Sequence, residues 1–166
     1  MVSALGLDLG ARRIGVAGCD RTGLVATGIT TLYRTTFESI VEPLKKIVAD
    51  RNVEILVVGL PYTLDGEIGN QAKKTQKQAH KLSKALNLPV EFVDERLTSF
   101  AAEQMIIDAN GSALERHGSK RHGSKHHGIK STGRLKNKGL IDRKAAAIIL
   151  QQWLDARDQK SDLLTI

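Results

Sequence analysis

Three acidic residues, Asp8, Glu95 and Asp142, occupy positions that favour metal binding and catalysis. Asp8 falls inside an otherwise apolar run, ALGLDL, where an ionised carboxylate is costly unless it is paired or ligated. Glu95 directly follows an apolar stretch of strand length, and Asp142 precedes an apolar helical pattern. Because carboxylate oxygens are hard ligands, a cluster of these side chains favours Mg²⁺ or Mn²⁺ over Zn²⁺.

Each of these acids also has a purely structural explanation. Asp8 is suited to capping the tight turn that follows it, and Asp142 is a good N-cap residue for a helix. Asp94 competes with Glu95 for the ligand position and is also suited to pairing with Arg96. The metal-binding interpretation gains weight only if the fold brings the three positions to one rim of a sheet.

Carboxylates arranged in this way predict metal-dependent cleavage of nucleic acid. Two divalent ions about 3.5–4 Å apart can activate a water and stabilise the leaving oxygen of a phosphodiester. Basic side chains near the rim are candidates for contacts with phosphate, since guanidinium forks match its geometry. These candidates are Arg12, Arg13, Arg96, Lys138 and Lys144. Salt bridges to the nearby acids explain the three arginines equally well.

The periodicity of apolar residues predicts the elements that must position these side chains. The predicted strands are Ala4–Leu9, Arg13–Cys19, Val25–Leu32, Glu54–Gly59 and Pro89–Val93. The predicted helices are Thr36–Arg51, Asn70–Leu86, Thr98 to about Ala109, and about Asp142–Arg157. Short turns join the first three strands into an antiparallel meander, and the strand–helix units that follow are typical of parallel pairing. The sequence therefore predicts an α/β fold with a mixed five-stranded sheet flanked by helices, the ribonuclease H-like arrangement.

The positive charge of the chain is concentrated in one segment. The chain has 25 Lys and Arg residues against 18 Asp and Glu residues, a net charge of +7. Eight of the basic residues and no acid lie between Arg116 and Lys138, so the remainder is close to neutral. Such a segment favours a polyanionic partner, although a solvated loop without a partner is the alternative. Its Gly, Ser, His and Lys composition predicts a disordered loop at about 111–137 that interrupts a single domain over residues 1–158.

The remaining features exclude several other classes of protein. The four histidines at 117, 122, 126 and 127 lack the spacing and the cysteine partners of a structural zinc site. Cys19 is the only cysteine, which excludes an intramolecular disulfide, and we expect it to be buried. The chain has no apolar run of membrane-spanning length and no signal-peptide pattern, so we expect a cytoplasmic protein. Trp153 is expected in the core.

Four motif blocks together resemble the YqgF family, the Holliday-junction-resolvase-like proteins that are also called pre-16S rRNA nucleases. The blocks are GLDLGARRIGVA (6–17), VVGLPYTLDGEIGNQA (57–72), VDERLTS (93–99) and KGLIDRKAAAIILQQWL (138–154). The resemblance implies a ribonuclease H-like fold, divalent metal, and maturation of the 5′ end of 16S rRNA in the cytoplasm. It also implies that the acidic positions of the family fall on Asp8, Glu95 and Asp142. The chain departs from the family pattern in its expanded basic segment before the last block.

The leading hypothesis is a metal-dependent endonuclease that acts on structured RNA, with the ribosomal small subunit as a further partner. A resolvase of branched DNA is an alternative, and it would act as a dimer because two strands are cut symmetrically; the sequence allows a monomer or a homodimer. A non-catalytic rRNA-binding assembly factor is another. ATP-handling proteins use a related strand–turn with a DxG motif, but they need two such domains and this chain holds one.

Overall fold

A computed structural model describes residues 2–63, 66, 68–95 and 131–163, and in the last of these ranges it describes side chains over 138–158. The strands are β1 (Ala4–Leu9), β2 (Arg13–Cys19), β3 (Ala26–Tyr33), β4 (Ile55–Leu60) and β5 (Val90–Asp94). The helices within these ranges are α1 (Glu38–Arg51), α2 (Asn70–Leu86) and α3 (Ser131–Leu163). The predicted helix after Thr98, Arg96 and the four clustered histidines lie outside the described residues.

The five strands form one mixed sheet in the order β3-β2-β1-β4-β5. The β1–β2 and β2–β3 pairs are antiparallel, and the β1–β4 and β4–β5 pairs are parallel. The predicted meander and parallel units are therefore confirmed. Strand β1 lies at the centre, so the carboxyl ends of β1, β4 and β5 meet at the same rim of the sheet.

Alternation of side chains along the strands gives the sheet two apolar faces. On one face, Leu5 and Leu7 of β1 pack with α1 and α2 in the larger core cluster. On the other face, Val57 of β4 packs with α3 through Ile149 and Leu150. The apolar runs in β1 and β4 follow from burial on both faces, which is typical of central strands.

A row of glycines lets α3 approach the second face closely. One glycine comes from each of four adjacent strands: Gly6, Gly15, Gly28 and Gly59. A Cβ atom on Gly6 would lie 2.7 Å from the Cβ of Leu150, and one on Gly28 would lie 2.9 Å from the Cβ of Arg143. A Cβ atom on Gly15 would overlap the backbone carbonyl of Asp142. These contacts fix the height of α3 above the sheet.

Helix α3 begins well before the predicted start at Asp142. It begins at Ser131, so residues 131–137 are helical although the sequence predicted them to be part of a disordered loop. The helix docks on the sheet from Gly139 onward, and a helix stabilised by tertiary packing can continue into the residues that precede the contact. Thr31 of β3 donates a hydrogen bond from Oγ1 to the carbonyl of Gly139 at 2.7 Å, between the predicted loop and the predicted start of the helix.

Two side chains expected in the core are buried. Cys19 is 8% exposed and Trp153 is 6% exposed, which confirms both predictions. The Trp153 indole also donates a hydrogen bond from Nε1 to Glu91 Oε2 at 2.6 Å, linking α3 to β5. Over the ranges that the structure describes, no helix has the length and apolar character needed to cross a bilayer.

Candidate active site

Two carboxyl groups meet at the rim where β1 and β5 end. Asp8 is the penultimate residue of β1 and lies opposite Gly15 of β2. Glu95 directly follows β5, where its backbone N–H donates to the carbonyl of Leu60 at 3.0 Å. The side chains of Asp8 and Glu95 are hydrogen-bonded to each other. The two acids singled out in the sequence therefore form a pair at the sheet rim.

Gly59 makes the space that the Glu95 carboxyl occupies. A Cβ atom at position 59 would lie 2.8 Å from Glu95 Oε1 and 2.6 Å from Ile149 Cδ1. Any side chain there would push the carboxyl away from Asp8 or lift α3. This role of Gly59 was not predicted from the sequence, although a glycine inside an apolar strand often marks a close approach of this kind.

The electrostatics of the pair favour an added positive charge. Burial, the Asp8 charge and the hydrogen bond to Asp8 raise the pKa of Glu95 to about 7. Burial also raises the pKa of Asp8, against the lowering effect of the hydrogen bond with Glu95, and the nearby Asp142 charge adds to the rise. Two carboxyl groups held together without a counter-charge share a proton or bind a cation.

The structure distinguishes Glu95 from Asp94. Phe92 belongs to the cluster under α1 and α2, whereas Val93 packs in the cluster under α3. Because neighbouring residues in a strand point to opposite faces, Asp94 shares the face of Phe92 and is exposed there. Glu95 lies with Asp8 on the α3 side.

Asp142 is held by an arginine beside this pair. Arg13 Nε of β2 donates to Asp142 Oδ2 at 2.6 Å, and both side chains are largely buried, at 25% and 18% exposure. Asp142 lies within α3, eleven residues after its start at Ser131. Its explanation as a helix N-cap is therefore wrong. The salt-bridge alternative for Arg13 is the one that the structure shows.

The turn after Asp8 does not depend on its side chain. The N–H of Gly10 donates to the backbone carbonyl of Asp8 at 3.1 Å, so the main chain supplies the hydrogen bond of the turn. The Asp8 carboxyl is left to its interactions with Glu95 and Asp142. The turn therefore does not explain why an aspartate occupies position 8.

The donor set suits a hard divalent cation, but the three carboxylates are not assembled around one point. Asp8 and Glu95 offer paired oxygens with raised pKa values, which is the chemistry that Mg²⁺ or Mn²⁺ accepts. In the described part of the chain, no three His, Cys, Asp or Glu side chains are placed to hold one ion together. The pairing of Asp142 with Arg13 accounts for this, because its carboxylate accepts from the guanidinium.

The other basic candidates differ in their exposure. Arg12 is exposed on the turn that follows β1, and Lys138 is exposed on α3. Lys144 is half-buried on the same helix, two residues after Asp142. Arg96 falls outside the described residues, so its predicted contact with phosphate stays a prediction from sequence.

The chain matches a protein-family model and several named relatives. The family model described as "RuvX: Holliday junction resolvase" matches residues 2–156. A Trichormus variabilis protein named "Putative pre-16S rRNA nuclease" is 56% identical over 156 residues, covering 94% of this chain and 89% of the relative. A protein of the same name from Acaryochloris marina is 54% identical, covering 94% of each chain.

A solved structure supports the fold. The Thermus thermophilus RuvC structure matches with a TM-score of 0.50 at 12% identity, covering 95% of this chain and 97% of that one. At this identity the similarity concerns the fold alone. The predicted ribonuclease H-like arrangement is confirmed.

Proposed function

Because the chain belongs to the family described as RuvX Holliday junction resolvase, we propose that it is a metal-dependent endonuclease of structured nucleic acid. Its substrate in this proposal is precursor 16S rRNA, which is processed at the 5′ end. Relatives that are named as such a nuclease match this chain over nearly their whole length. The observation that carries the proposal is the partly buried, hydrogen-bonded pair of Asp8 and Glu95 at the sheet rim.

Asp8 is the central group of the proposed site, because it interacts with both other acids. It is hydrogen-bonded to Glu95, and the charge of Asp142 raises its pKa. Asp8 and Glu95 would hold the metal, and Asp142 would complete the set of ligands. When bound, Mg²⁺ or Mn²⁺ supplies Lewis-acid activation of water and stabilises the leaving oxygen of a phosphodiester. The proton held at Glu95 must leave as the carboxylate becomes a ligand, so metal binding releases protons.

Arg13 is a positioning residue in this scheme. Its guanidinium holds the Asp142 carboxylate at 2.6 Å and fixes where the third acid lies relative to β2. The partial burial of the pair keeps it from being screened as a surface ion pair would be. Among the arginine candidates that the structure describes, Arg12 is exposed at the adjacent turn and is available for phosphate.

The test is Asp8→Asn, which removes the charge of the central carboxylate and keeps its shape. Cleavage of a precursor rRNA fragment in Mg²⁺ should fall by about a hundredfold or more, since a metal ligand stabilises several kcal/mol of transition-state charge. Calorimetry with Mn²⁺ should show weakened binding in the absence of substrate.

The matched control is Asp50→Asn, which removes one exposed carboxylate from the end of α1. It should cut RNA and bind Mn²⁺ like the parent. If Asp8→Asn cuts as fast as the parent and melts at the same temperature, the assignment of the catalytic carboxylates is wrong. If the parent binds precursor rRNA without cutting it, the chain is a non-catalytic assembly factor.

The description of the family favours one second candidate, a resolvase of four-way DNA junctions. That activity requires two sites acting symmetrically, and therefore a dimer. Measurement of mass in solution, with and without a junction, separates the candidates. A strict monomer that cuts precursor rRNA and leaves junctions intact supports the RNA substrate.

The proposal places the activity in one domain over residues 1–158 and in the cytoplasm, where rRNA precursors are processed. The described elements share one sheet with helices on both faces. Within the basic segment that interrupts the domain, the described helix already begins at Ser131.

A further inference from the structure

A basic groove lies on the side of the sheet opposite α3, between the beginning of α1 and the exposed face of α2. Its volume is about 670 Å³. Arg34, Lys74, Lys77 and Lys81 line it, and no acidic residue does. None of these lysines makes an ion pair within the described ranges. We refer to this surface as the α2 groove.

The charge of α2 is unusual within this chain. The helix Asn70–Leu86 carries five lysines and no Asp or Glu, whereas α1 carries both signs. Lys74, Lys77 and Lys81 are spaced at i, i+3 and i+7, which places them on one face of the helix. They span about 10 Å along the axis, a length that about three phosphates of one strand occupy.

The α2 groove begins at the turn that follows the catalytic strand. Leu9 and Ala11 line it on either side of Gly10, one and three residues after Asp8. Arg34 ties the wall of the groove to this turn, donating from Nη1 to the carbonyl of Gly10 at 2.8 Å. A strand that passes from the carboxylates on the α3 side to the groove on the other side would cross the rim of the sheet at this turn.

The floor of the groove offers an aromatic surface. Phe37, at the N-terminal boundary of α1, is 39% exposed, and it lines the groove together with the buried side chains of Leu9 and Ile40. Bases without a paired partner stack on such rings regardless of their identity. A duplex keeps its bases stacked inside, so the combination of a lysine row and an exposed ring fits a single strand.

We propose that the α2 groove binds a single-stranded segment of the RNA substrate, with Lys74, Lys77 and Lys81 along its phosphates and Phe37 against a base. The proposal rests on the proposed nuclease function and extends it with a path for the substrate. The charge complementarity of an acid-free, lysine-lined groove that reaches the turn after Asp8 carries it. These lysines would bind the substrate and would take no part in the cleavage step.

The experiment compares a groove variant with a charge-matched control. The groove variant is Lys74→Gln/Lys77→Gln/Lys81→Gln, and the control is Lys46→Gln/Lys73→Gln/Lys84→Gln, whose lysines are exposed and do not line the groove. Binding of a short unstructured RNA is followed by fluorescence anisotropy in EDTA over a series of salt concentrations. Each lost phosphate contact should reduce the slope of log affinity against log salt by about 0.7.

The groove variant should lose about 2 from this slope and bind about tenfold more weakly, while the control keeps the parent slope. Thermal melts of both variants should match the parent because the substituted lysines are exposed. If the parent cuts precursor rRNA but groove and control variants have equal slopes, this inference fails and the proposed function stands. If the parent neither binds nor cuts RNA, both fail.

Two further measurements test the kind of ligand. Phe37→Leu should weaken binding of the single strand about five- to tenfold with no change in salt slope, and Phe37→Tyr should retain it. An equal loss for Tyr and Leu would overturn the role of the ring. An equal loss of slope on a fully paired duplex would overturn the assignment to a single strand.

Discussion

At the scale of single residues, the Asp8–Glu95 pair makes the protein sensitive to pH before any substrate is present. The Glu95 carboxyl has an ordinary pKa of 4.5 in the unfolded chain and about 7 in the folded one. A shift in this direction means that the folded protein retains a proton that the unfolded chain releases. The site therefore opposes folding when it is ionised, and a cation that neutralises it should stabilise the protein.

Stability in EDTA should fall as pH rises from about 4.5 to 7. Below this range Glu95 is protonated in both the folded and the unfolded state. Within the range, Glu95 ionises in the unfolded chain but keeps its proton in the folded protein, so a rise in pH favours unfolding. Glu95→Gln should flatten this part of the curve, as measured by the melting temperature at a series of pH values. Glu42→Gln, at an exposed position on α1, serves as the control.

A Glu95→Gln curve that falls as steeply as that of the parent would mean that the acid pair does not titrate in this range. Adding Mn²⁺ to the parent should raise the melting temperature more at pH 7 than at pH 5, because protons no longer compete with the ion. This second comparison uses only the parent chain and needs no substrate.

At the scale of secondary-structure elements, α3 is positioned by the glycines beneath it rather than by its own sequence. Its backbone lies so close to β2 that a Cβ atom at Gly15 would overlap the carbonyl of Asp142. The helix cannot rise without carrying Asp142 away from Asp8. Packing and the geometry of the site are therefore coupled through one contact.

Gly15→Ala should lower the free energy of unfolding by roughly 1–3 kcal/mol, the usual cost of overpacking, and should abolish cleavage. Gly139→Ala is the matched change on the same helix: a Cβ atom there would lie 3.6 Å from Thr31 Oγ1, an ordinary contact. It should raise the free energy of unfolding by up to about 1 kcal/mol, because alanine favours a helix. Chemical denaturation measures both.

If Gly15→Ala retained the stability and the activity of the parent, the close approach of α3 would not be a requirement of the fold. If Gly139→Ala instead caused a large loss of stability, the region before Asp142 would not be helical. Each outcome concerns a different part of α3, so the two variants can be judged separately.

The sequence predicted most elements closely, since their signals are local. The bounds of β1, β2 and α2 agree with the structure, and those of β3, β4 and β5 differ by one residue at either end. The start of α3 was missed because Gly133, Asn137 and Gly139 are poor helix formers, and packing on β3 overrides them. Propensity carries no information about that packing.

The candidate site was predicted in part, for a similar reason. Asp8 and Glu95 were recognised because each stands at the end of an apolar run, a signal within a few residues. The pairing of Arg13 with Asp142 joins residues 129 apart, and no pattern along the chain indicates which acid an arginine will meet. The α2 groove was missed because charge was counted along the chain, where the lysines of α2 are balanced by acids elsewhere.

At the scale of the whole molecule, nucleic acid has two basic regions to bind. The α2 groove belongs to the folded body, whereas the segment from Arg116 to Lys138 was identified from sequence. If both contact phosphates, their contributions to salt dependence should add, since they lie on separate parts of the chain.

Replacing the five basic residues within 116–130 by Gln should reduce the slope of log affinity against log salt by up to about 3.5. The changes are Arg116→Gln, Lys120→Gln, Arg121→Gln, Lys125→Gln and Lys130→Gln, which keep the chain length and leave α3 unchanged from Ser131. Combined with the groove variant, the reductions should sum. An unchanged slope would show that the segment takes no part in binding.

Because α3 is the last of the described elements in the chain, it is also the last of them to be synthesised. All five strands precede α3 in the chain, so the sheet is synthesised before the helix that packs on the face containing Val57. Asp142 lies on the same helix, so the third carboxylate of the proposed site is made only when that helix is made. A message truncated before Ser131 would yield a product open to proteolysis rather than a stray nuclease, and the protease resistance of such truncated chains can be measured directly.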